Sequence, residues 1–434
     1  ARADPAAACA AEALATGSVV CVVGRPSLAE SPAPVVEAAG ALLAARPQAR
    51  FLPVLRRANV HGALDMGLAP GLLPGRVGLE EGRRWFSGAW GPLPAEAGLD
   101  AAGTLAAAAE GRITGLVLLG ADPLADFPDR DLARRALDNT GFVLAVDCFL
   151  TESARQADVV LPAAGYAEKP GTTTNLEGRV SRLNQKVTPP GTARPDWMIA
   201  AELAARLDGD LGLESWEGIW DEIERLAPSH AGITRARLAS PEGRDGIVAG
   251  AVDDVATTVP PTMAQTEAPE IAGAESQMGQ DRLAVTGSGA EADPGGTGPS
   301  GPPPPGPTDR PPPLRFTPPV PTPPPAVGAD TLRLVSSRRL YDGGTLVQRS
   351  PSLAGLVPGA RLRVNPAHLD RLGVASGDRV RVTSRRGAVV VAAVADPEVP
   401  AGTAHLAFNQ PGALAADLID AARAVTEVRL ERPG

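Results

Sequence analysis

The stretch 158-DVVLPAAGYAEKPGTTTNLEGRVSRLNQ-185 decides the fold. A buried strand, Asp158 to Leu161, runs into Pro162, and beyond it lies a loop dense in Gly, Thr, Asn and paired charges. Glu168, Glu177 and Arg179 stand close to the end of an apolar strand. That position implies ion pairing or ligand contact, because burying an unpaired charge is costly. Thr172, Thr173, Thr174 and Asn175 supply the hydroxyl and amide donors that can cradle phosphate oxygens.

Working upstream, residues 17 to 245 alternate short runs of Val, Ile and Leu with helix-length stretches, the pattern of βαβ units and a parallel sheet. Candidate strands are Val19 to Val23, Phe51 to Leu55, Ile113 to Leu119 and Phe142 to Val146, in series with Asp158 to Leu161. Helices are expected over Pro34 to Ala45, Asp129 to Asn139, Met198 to Leu207 and Glu214 to Leu226. The second is expected to end at Gly141 as a left-handed stop, and the last places Trp216, Ile219, Trp220, Ile223 and Leu226 on one face.

The segment Leu118-Leu119-Gly120-Ala121-Asp122-Pro123 is a glycine turn at the carboxyl end of a strand. Open α/β sheets bind ligands there, where the backbone can be approached at Gly and a following helix offers free N–H groups. Gly120, Asp122 and Pro123 are therefore candidate binding residues. Two roles stay open for Asp122: accepting hydrogen bonds from a purine or pterin amino group, or capping the turn ahead of Pro123.

Downstream, the composition shifts from about Thr257 to Pro, Gly, Ser and Thr, including PSGPPPPGPTDRPPP. Such a segment buries too little surface to offset chain entropy. A disordered, partly polyproline tether is expected over 251–330, between an α/β domain over 1–250 and a β-rich module over 331–434. In that module LRLVSS, RLRVN, DRVRVTS and AVVVAAV alternate with period two, so that Val380 and Val382 face one way and Arg379 and Arg381 the other. Arg386-Gly387 reads as a hairpin turn, and a short helix, Pro366 to Leu372, stops at Gly373. Strands with closing turns and one inserted helix predict a small barrel.

Composition narrows the function. The 434 residues carry a formal net charge of -9 and contain no basic block, so nucleic acid is a poor partner. No apolar run is long enough to cross a bilayer, and the start lacks the order of a signal peptide, so no direct membrane insertion and a cytoplasmic location are expected. Cys9, Cys21 and Cys148 are too widely spaced for a zinc or iron–sulfur cluster and read as buried or incidental thiols. Of His61, His230, His368 and His405, none sits beside a cysteine. No nucleophile–base pair, P-loop or metal-ligand spacing can be assembled, so neither catalytic nor metal residues are assigned.

The pattern ADVVLP, then EKPGT, then NLEGRV resembles the signature of molybdopterin oxidoreductases, in which the strand end and loop flank a pterin guanine dinucleotide. The GADP turn is similar to that family's nucleotide-binding turn, and Val364-Asn365-Pro366 with the strands after it resembles the superfamily's dinucleotide-binding barrel. Together these cover most of the chain outside the tether. The resemblance implies a Rossmann-like α/β domain followed by a double-psi-like β-barrel. It assigns Gly120, Asp122, Pro123, Glu168, Gly171, Thr172, Asn175, Glu177, Arg179 and Asn365 to a vestigial cofactor site.

Three further stretches, 56–76, 166–197 and 336–356, resemble the G subunit of bacterial NADH-quinone oxidoreductase, respiratory complex I. That resemblance implies a largely non-catalytic, structural part of the peripheral arm, attached through the complex to the inner face of the cell membrane. Its partners would be neighbouring subunits and an iron–sulfur region of the same subunit, N-terminal to the residues here. It further implies that the chain is a fragment or a split subunit, supporting NADH-to-quinone electron transfer without a cofactor of its own. The alternative is part of a molybdenum–pterin enzyme of the formate dehydrogenase or nitrate reductase type that binds a pterin guanine dinucleotide.

Overall fold

A computed structural model describes residues 5–250, 310–320, 322, 325, 327–328 and 330–433. The first part is α/β. Strands β1 (Val20–Val23) and β2 (Arg50–Pro53) pair in parallel, β3 (Leu72–Leu73) and β4 (Val77–Gly78) form a short antiparallel pair, and β5 (Gly115–Leu119), β6 (Phe142–Asp147) and β7 (Val159–Pro162) form a parallel sheet in that order. All five expected strands are present, but they are divided between two separate parallel sheets.

The β5–β7 sheet is covered unequally. Leu116 and Leu118 of β5 and Val143 and Ala145 of β6 pack against Leu105 and Ala108 of the helix Ala101–Ala109 and Leu132 and Ala136 of the helix Arg130–Asn139. On the opposite face, Leu144 and Val146 of β6 are covered by Ile199 and Leu203 of the helix Asp196–Arg206. The helix Trp216–Leu226 begins at Ser215, whose hydroxyl caps Gly218 N, and buries Trp220 and Leu226 from the expected face.

Gly141 does not stop its helix by turning left-handed. The helix Arg130–Asn139 ends at Thr140 in extended conformation (φ -84°, ψ 129°). Gly141 is instead a point of close approach, where a Cβ would lie 3.3 Å from the Thr114 carbonyl.

The loop expected after Pro162 is mostly a β-hairpin. Strand β8 (Gly171–Thr174) pairs antiparallel with β9 (Arg179–Leu183), which in turn pairs with β10 (Ile247–Val248). Three consecutive threonines favour extended backbone. Asn175 and Gly178 (φ +77°) turn the chain back, the Asn175 side chain accepting from Glu177 N and Arg179 N, both at 2.9 Å.

Most of the expected tether, 251–309, lies outside the described residues. Its later part is a strap laid along the α/β region. Leu314 N donates to Arg76 O at 2.7 Å, Pro318 packs where a Cβ on Gly40 would clash at 2.8 Å, and Thr322 donates its hydroxyl to Glu37 at 2.5 Å. Prolines favour this extended form, and local carbonyl and carboxylate partners fix it.

The remaining strands, β11 (Leu332–Val335), β12 (Leu362–Val364), β13 (Arg379–Thr383), β14 (Ala388–Ala395), β15 (Thr403–Leu406) and β16 (Glu427–Glu431), close a barrel in the order β11-β15-β12-β14-β13-β16. The pairs β11–β15 and β12–β14 are parallel and the others antiparallel. Val380 and Val382 point inward with Leu334, Leu362, Leu406 and Phe408, while Arg379 and Arg381 face out. The helix Pro366–Leu372 ends at Gly373 (φ +61°) as expected. The β13–β14 turn sits one residue earlier than expected: Ser384 N donates to Gly387 O at 2.8 Å, leaving Arg385 and Arg386 at its centre.

A segment from the first part joins the barrel. Ala29 is buried in the barrel core, Thr426 N donates to Ala29 O at 3.0 Å, Leu28 N donates to Ser336 O at 2.6 Å, and Glu30 pairs with Arg333 through two contacts of 2.6 Å.

Candidate functional site

At the carboxyl ends of β5 and β6 the two parts of the chain enclose a cleft of about 390 Å³. One wall holds Gly120, Asp122 and Asp126 after β5, and Asp147, Cys148 and Phe149 at the end of β6. The other holds Arg338, Arg339, Asp342 and Leu346 from the segment after β11, and Arg56 and Arg57 come from the loop after β2. This is where an open parallel sheet offers unpaired backbone and helix N-termini to a ligand.

The Gly120–Pro123 turn is held from inside. Gly120 takes φ +56°, and nothing lies within 4 Å of where its Cβ would be, so its freedom serves the turn and leaves the backbone open. The buried Asp122 carboxylate accepts from Ser153 N at 3.2 Å and Ser153 Oγ at 2.6 Å, and Ser153 Oγ accepts from Leu124 N at 3.1 Å. Asp122 makes no side-chain cap of its own. The serine hydroxyl relays to the helix N-terminus instead, and Pro123 is buried as its first residue.

The arginines fall into two kinds. Arg57, itself at φ +84°, and Arg338 both bind Asp126 Oδ1 at 2.9 Å, and Arg338 also binds Asp342 at 3.0 Å while its guanidinium lies 4.6 Å over the Phe408 ring. Arg338 is therefore a paired, largely buried group. Arg56 donates to the Arg338 and Arg339 carbonyls at 2.8 and 3.0 Å and meets no carboxylate within 4.0 Å among the described residues; partial burial and the Arg338 charge push its pKa down, against an opposing pull from Asp342. Neutral carbonyls satisfy its geometry, and Asp342 offsets its charge only from beyond ion-pair distance. Across the cleft, burial raises the Asp147 carboxyl pKa, with Asp122 and Asp196 adding to the rise, and partial desolvation followed by the Asp147 charge raises that of the Cys148 thiol at the surface. Cys148 and Cys9 are exposed and Cys21 is half-buried, so none is a buried core thiol.

Of the residues singled out in the sequence, Gly120 and Asp122 line the cleft. The others lie outside its lining. Glu168 accepts from Gly165 N at 2.8 Å within its own turn, next to the Lys169–Asp196 ion pair. Gly171 and Thr172 belong to β8, where they pair with Leu183 and Arg182. Glu177 and Arg179 pair with each other at 3.0 Å at the hairpin, and Asn175 builds its turn. Asn365 caps the helix Pro366–Leu372 through Ala367 N at 3.2 Å and donates to Val399 O at 3.0 Å.

Sequence reasoning missed Arg56, Arg57, Asp126, Asp147 and Asp342 as cleft residues. Stretches 56–76 and 336–356 each open on or near an Arg-Arg pair, and the fold brings both pairs to one cleft. No group of three or more His, Cys, Asp or Glu side chains that could hold a metal occurs among the described residues, and no described helix is long and apolar enough to cross a membrane.

The strand ends of a parallel sheet thus face a cleft closed by a barrel-side segment that contributes arginines, the kind of concave place between two parts of a chain where ligands bind. Two family models identify those parts. Residues 36–206 match Molybdopterin oxidoreductase and residues 332–428 match Molydopterin dinucleotide binding domain. The chain thus carries a molybdopterin oxidoreductase domain and a molybdopterin dinucleotide-binding domain.

Among its relatives, F420-dependent formate dehydrogenase 2 subunit alpha of Methanococcus maripaludis is 31% identical over 84% of this chain and 48% of its own length. A G subunit of NADH-quinone oxidoreductase from Rhizobium meliloti is 39% identical over 47% of this chain and 24% of its own length. In fold, acetylene hydratase from Pelobacter acetylenicus superposes with a TM-score of 0.50 at 15% identity, covering 82% of this chain and 50% of that one. The chain spans about half the length, or less, of the relatives it matches.

Proposed function

We propose that this chain supplies the dinucleotide-gripping part of a molybdopterin-type oxidoreductase and holds the nucleotide end of a pterin dinucleotide in the cleft between its two parts. The observation that carries this is Arg56, a cleft-lining guanidinium at the strand ends with no carboxylate at ion-pair distance among the described residues, flanked by Arg339, which also lacks one there. A diphosphate there would compensate both charges. Gly120 leaves its backbone open to the ligand, and the fixed carboxylate of Asp122 is an acceptor suited to an amino group on a purine or pterin. Pro123, Glu168, Gly171, Thr172, Asn175, Glu177, Arg179 and Asn365 hold the surrounding turns, hairpin and barrel helix in place.

The bound pterin group would supply the electron-transfer chemistry. These residues bind and orient it. The test is to purify the tagged chain from its native cells, measure molybdenum, and oxidise and release the pterin for fluorescence. Pterin at close to one equivalent per chain is expected, falling about tenfold in Arg56→Ala. Wild-type protein free of pterin would refute the reading.

A second reading is a structural part of the G subunit of NADH-quinone oxidoreductase. It is favoured by the 39% identity to that protein of Rhizobium meliloti and by Asp126 and Asp342, which already neutralise Arg57 and Arg338 without a ligand. On this reading the same purification yields no pterin and recovers other subunits of that complex, at the inner face of the membrane.

A further inference from the structure

We propose that the barrel carries a second binding site, for a small organic monocarboxylate, at the start of β11. This does not rest on the cofactor reading: the cleft segment follows the other end of that strand, and the two places share no lining residue. The site is a pocket of about 470 Å³, room enough for a small molecule, between the helix Pro366–Leu372, the turn at 401–402 and the strands β11 and β16. His368 and Arg371, one turn apart on that helix, both line it.

The chemistry follows from where the imidazole proton must sit. Gly402 N donates to His368 Nε2 at 2.9 Å, so Nε2 presents its lone pair and the neutral ring carries its proton on Nδ1. The opposite tautomer would set two N–H groups against each other at that distance, one of them on backbone. Arg371 Nη2 lies 3.3 Å from Nδ1. Two donors therefore face the same point with no acceptor between them. His368 is only 9% exposed, and burial together with the Arg371 charge pushes its pKa down, which keeps the ring neutral. Arg371 itself is exposed and meets no carboxylate within 4.0 Å among the described residues. Arg432, which donates to the Leu372 and Gly373 carbonyls at 2.9 and 2.6 Å, adds positive charge at the same helix end.

An oxyanion set against Nδ1–H and Nη2–H accepts from both, and the guanidinium makes the contact charge-assisted. The rest of the lining chooses among oxyanions. Leu332, Leu372 and Leu430 offer apolar surface to a hydrocarbon body, and Asp330 is an acid on the same lining that repels a second negative charge. A carboxylate with one charge and a short branched body meets all three conditions. A phosphate dianion fails the last two.

The test is a saturation-transfer NMR titration of the full chain at pH 7.5 with 3-methylbutanoate, against its uncharged counterpart 3-methylbutanol and inorganic phosphate. Expected is a dissociation constant for the carboxylate on the order of 1 mM or tighter, with the alcohol and phosphate each weaker by about tenfold or more. Arg371→Gln should weaken the carboxylate about tenfold without changing the melting temperature, since the side chain is exposed. Two substitutions at His368 separate a binding role from a structural one. His368→Asn can still accept from Gly402 N and donate into the pocket, so it should retain binding. His368→Asp keeps the acceptor for Gly402 N but supplies no donor and pairs with Arg371, so it should fold and lose binding. No saturation transfer to the carboxylate, equal affinity for the alcohol or for phosphate, or unchanged affinity in Arg371→Gln or in His368→Asp would overturn the proposal.

Discussion

Asp129 has no exposed surface and serves three donors. It caps the helix Arg130–Asn139 through Leu132 N at 3.0 Å, accepts from Ala421 N at 3.1 Å, and pairs with Arg386 at 2.7 Å. Asp129→Ala should cost about 2–3 kcal/mol in urea unfolding. That is less than the loss of an isolated buried pair, because Arg386 keeps Asp420 at 2.9 Å. The capping half of this role was legible, since an acid before a helical run is a start signal. The bridging half was not, because its partners come from the barrel and no local pattern announces them.

His230 sets an acid limit on stability. It is buried against the edge of Trp220, and burial pushes its pKa below the ordinary histidine value. The unfolded chain binds this proton near pH 6.5 and the folded chain does not, so stability is whole above that pH and falls as pH drops through it. Urea midpoints at pH 7.5 and 5.5 should show the loss, and His230→Gln should reduce it. His368 and His405, lowered by burial as well, leave a remainder.

Among the elements, the helix Pro366–Leu372 was readable in full because both ends are written locally, by Asn365-Pro366 and by Gly373. Gly373→Ala forces a Cβ into φ +61° and should cost about 1–2 kcal/mol, measurable as a lower melting temperature. The hairpin β8–β9 was read as a loop because hydroxyl-rich strands and loops have similar composition, and only pairing with β9 decides between them. Gly141 shows the converse, since a glycine after a helix signals a left-handed stop in sequence yet here accommodates the Thr114 carbonyl.

Over the whole molecule, the five parallel strands and the barrel were visible as periodicity, while the cleft was not, because it exists only once residues 56–57 and 338–347 meet the ends of β5 and β6. The parts are joined by Glu30–Arg333, Asp126–Arg338, Asp129–Arg386 and the Ala29 insertion. A protease site placed within residues 270–290 and cut should therefore leave two pieces that co-elute in size-exclusion chromatography. They should do so in 0.15 M and in 1 M salt, at a Debye length of about 8 Å and 3 Å, since partly buried pairs are screened little. Separation at the lower salt would contradict a joined architecture.

The Ala29 insertion also dictates a schedule for biosynthesis. Ala29 leaves the ribosome roughly 400 residues before Thr426, the residue that closes on its carbonyl, which at about 5–20 residues per second is a wait of about 20–80 s. Through that interval a piece of barrel wall hangs from the nascent chain with its amides unmet, and closure waits until Thr426 has emerged.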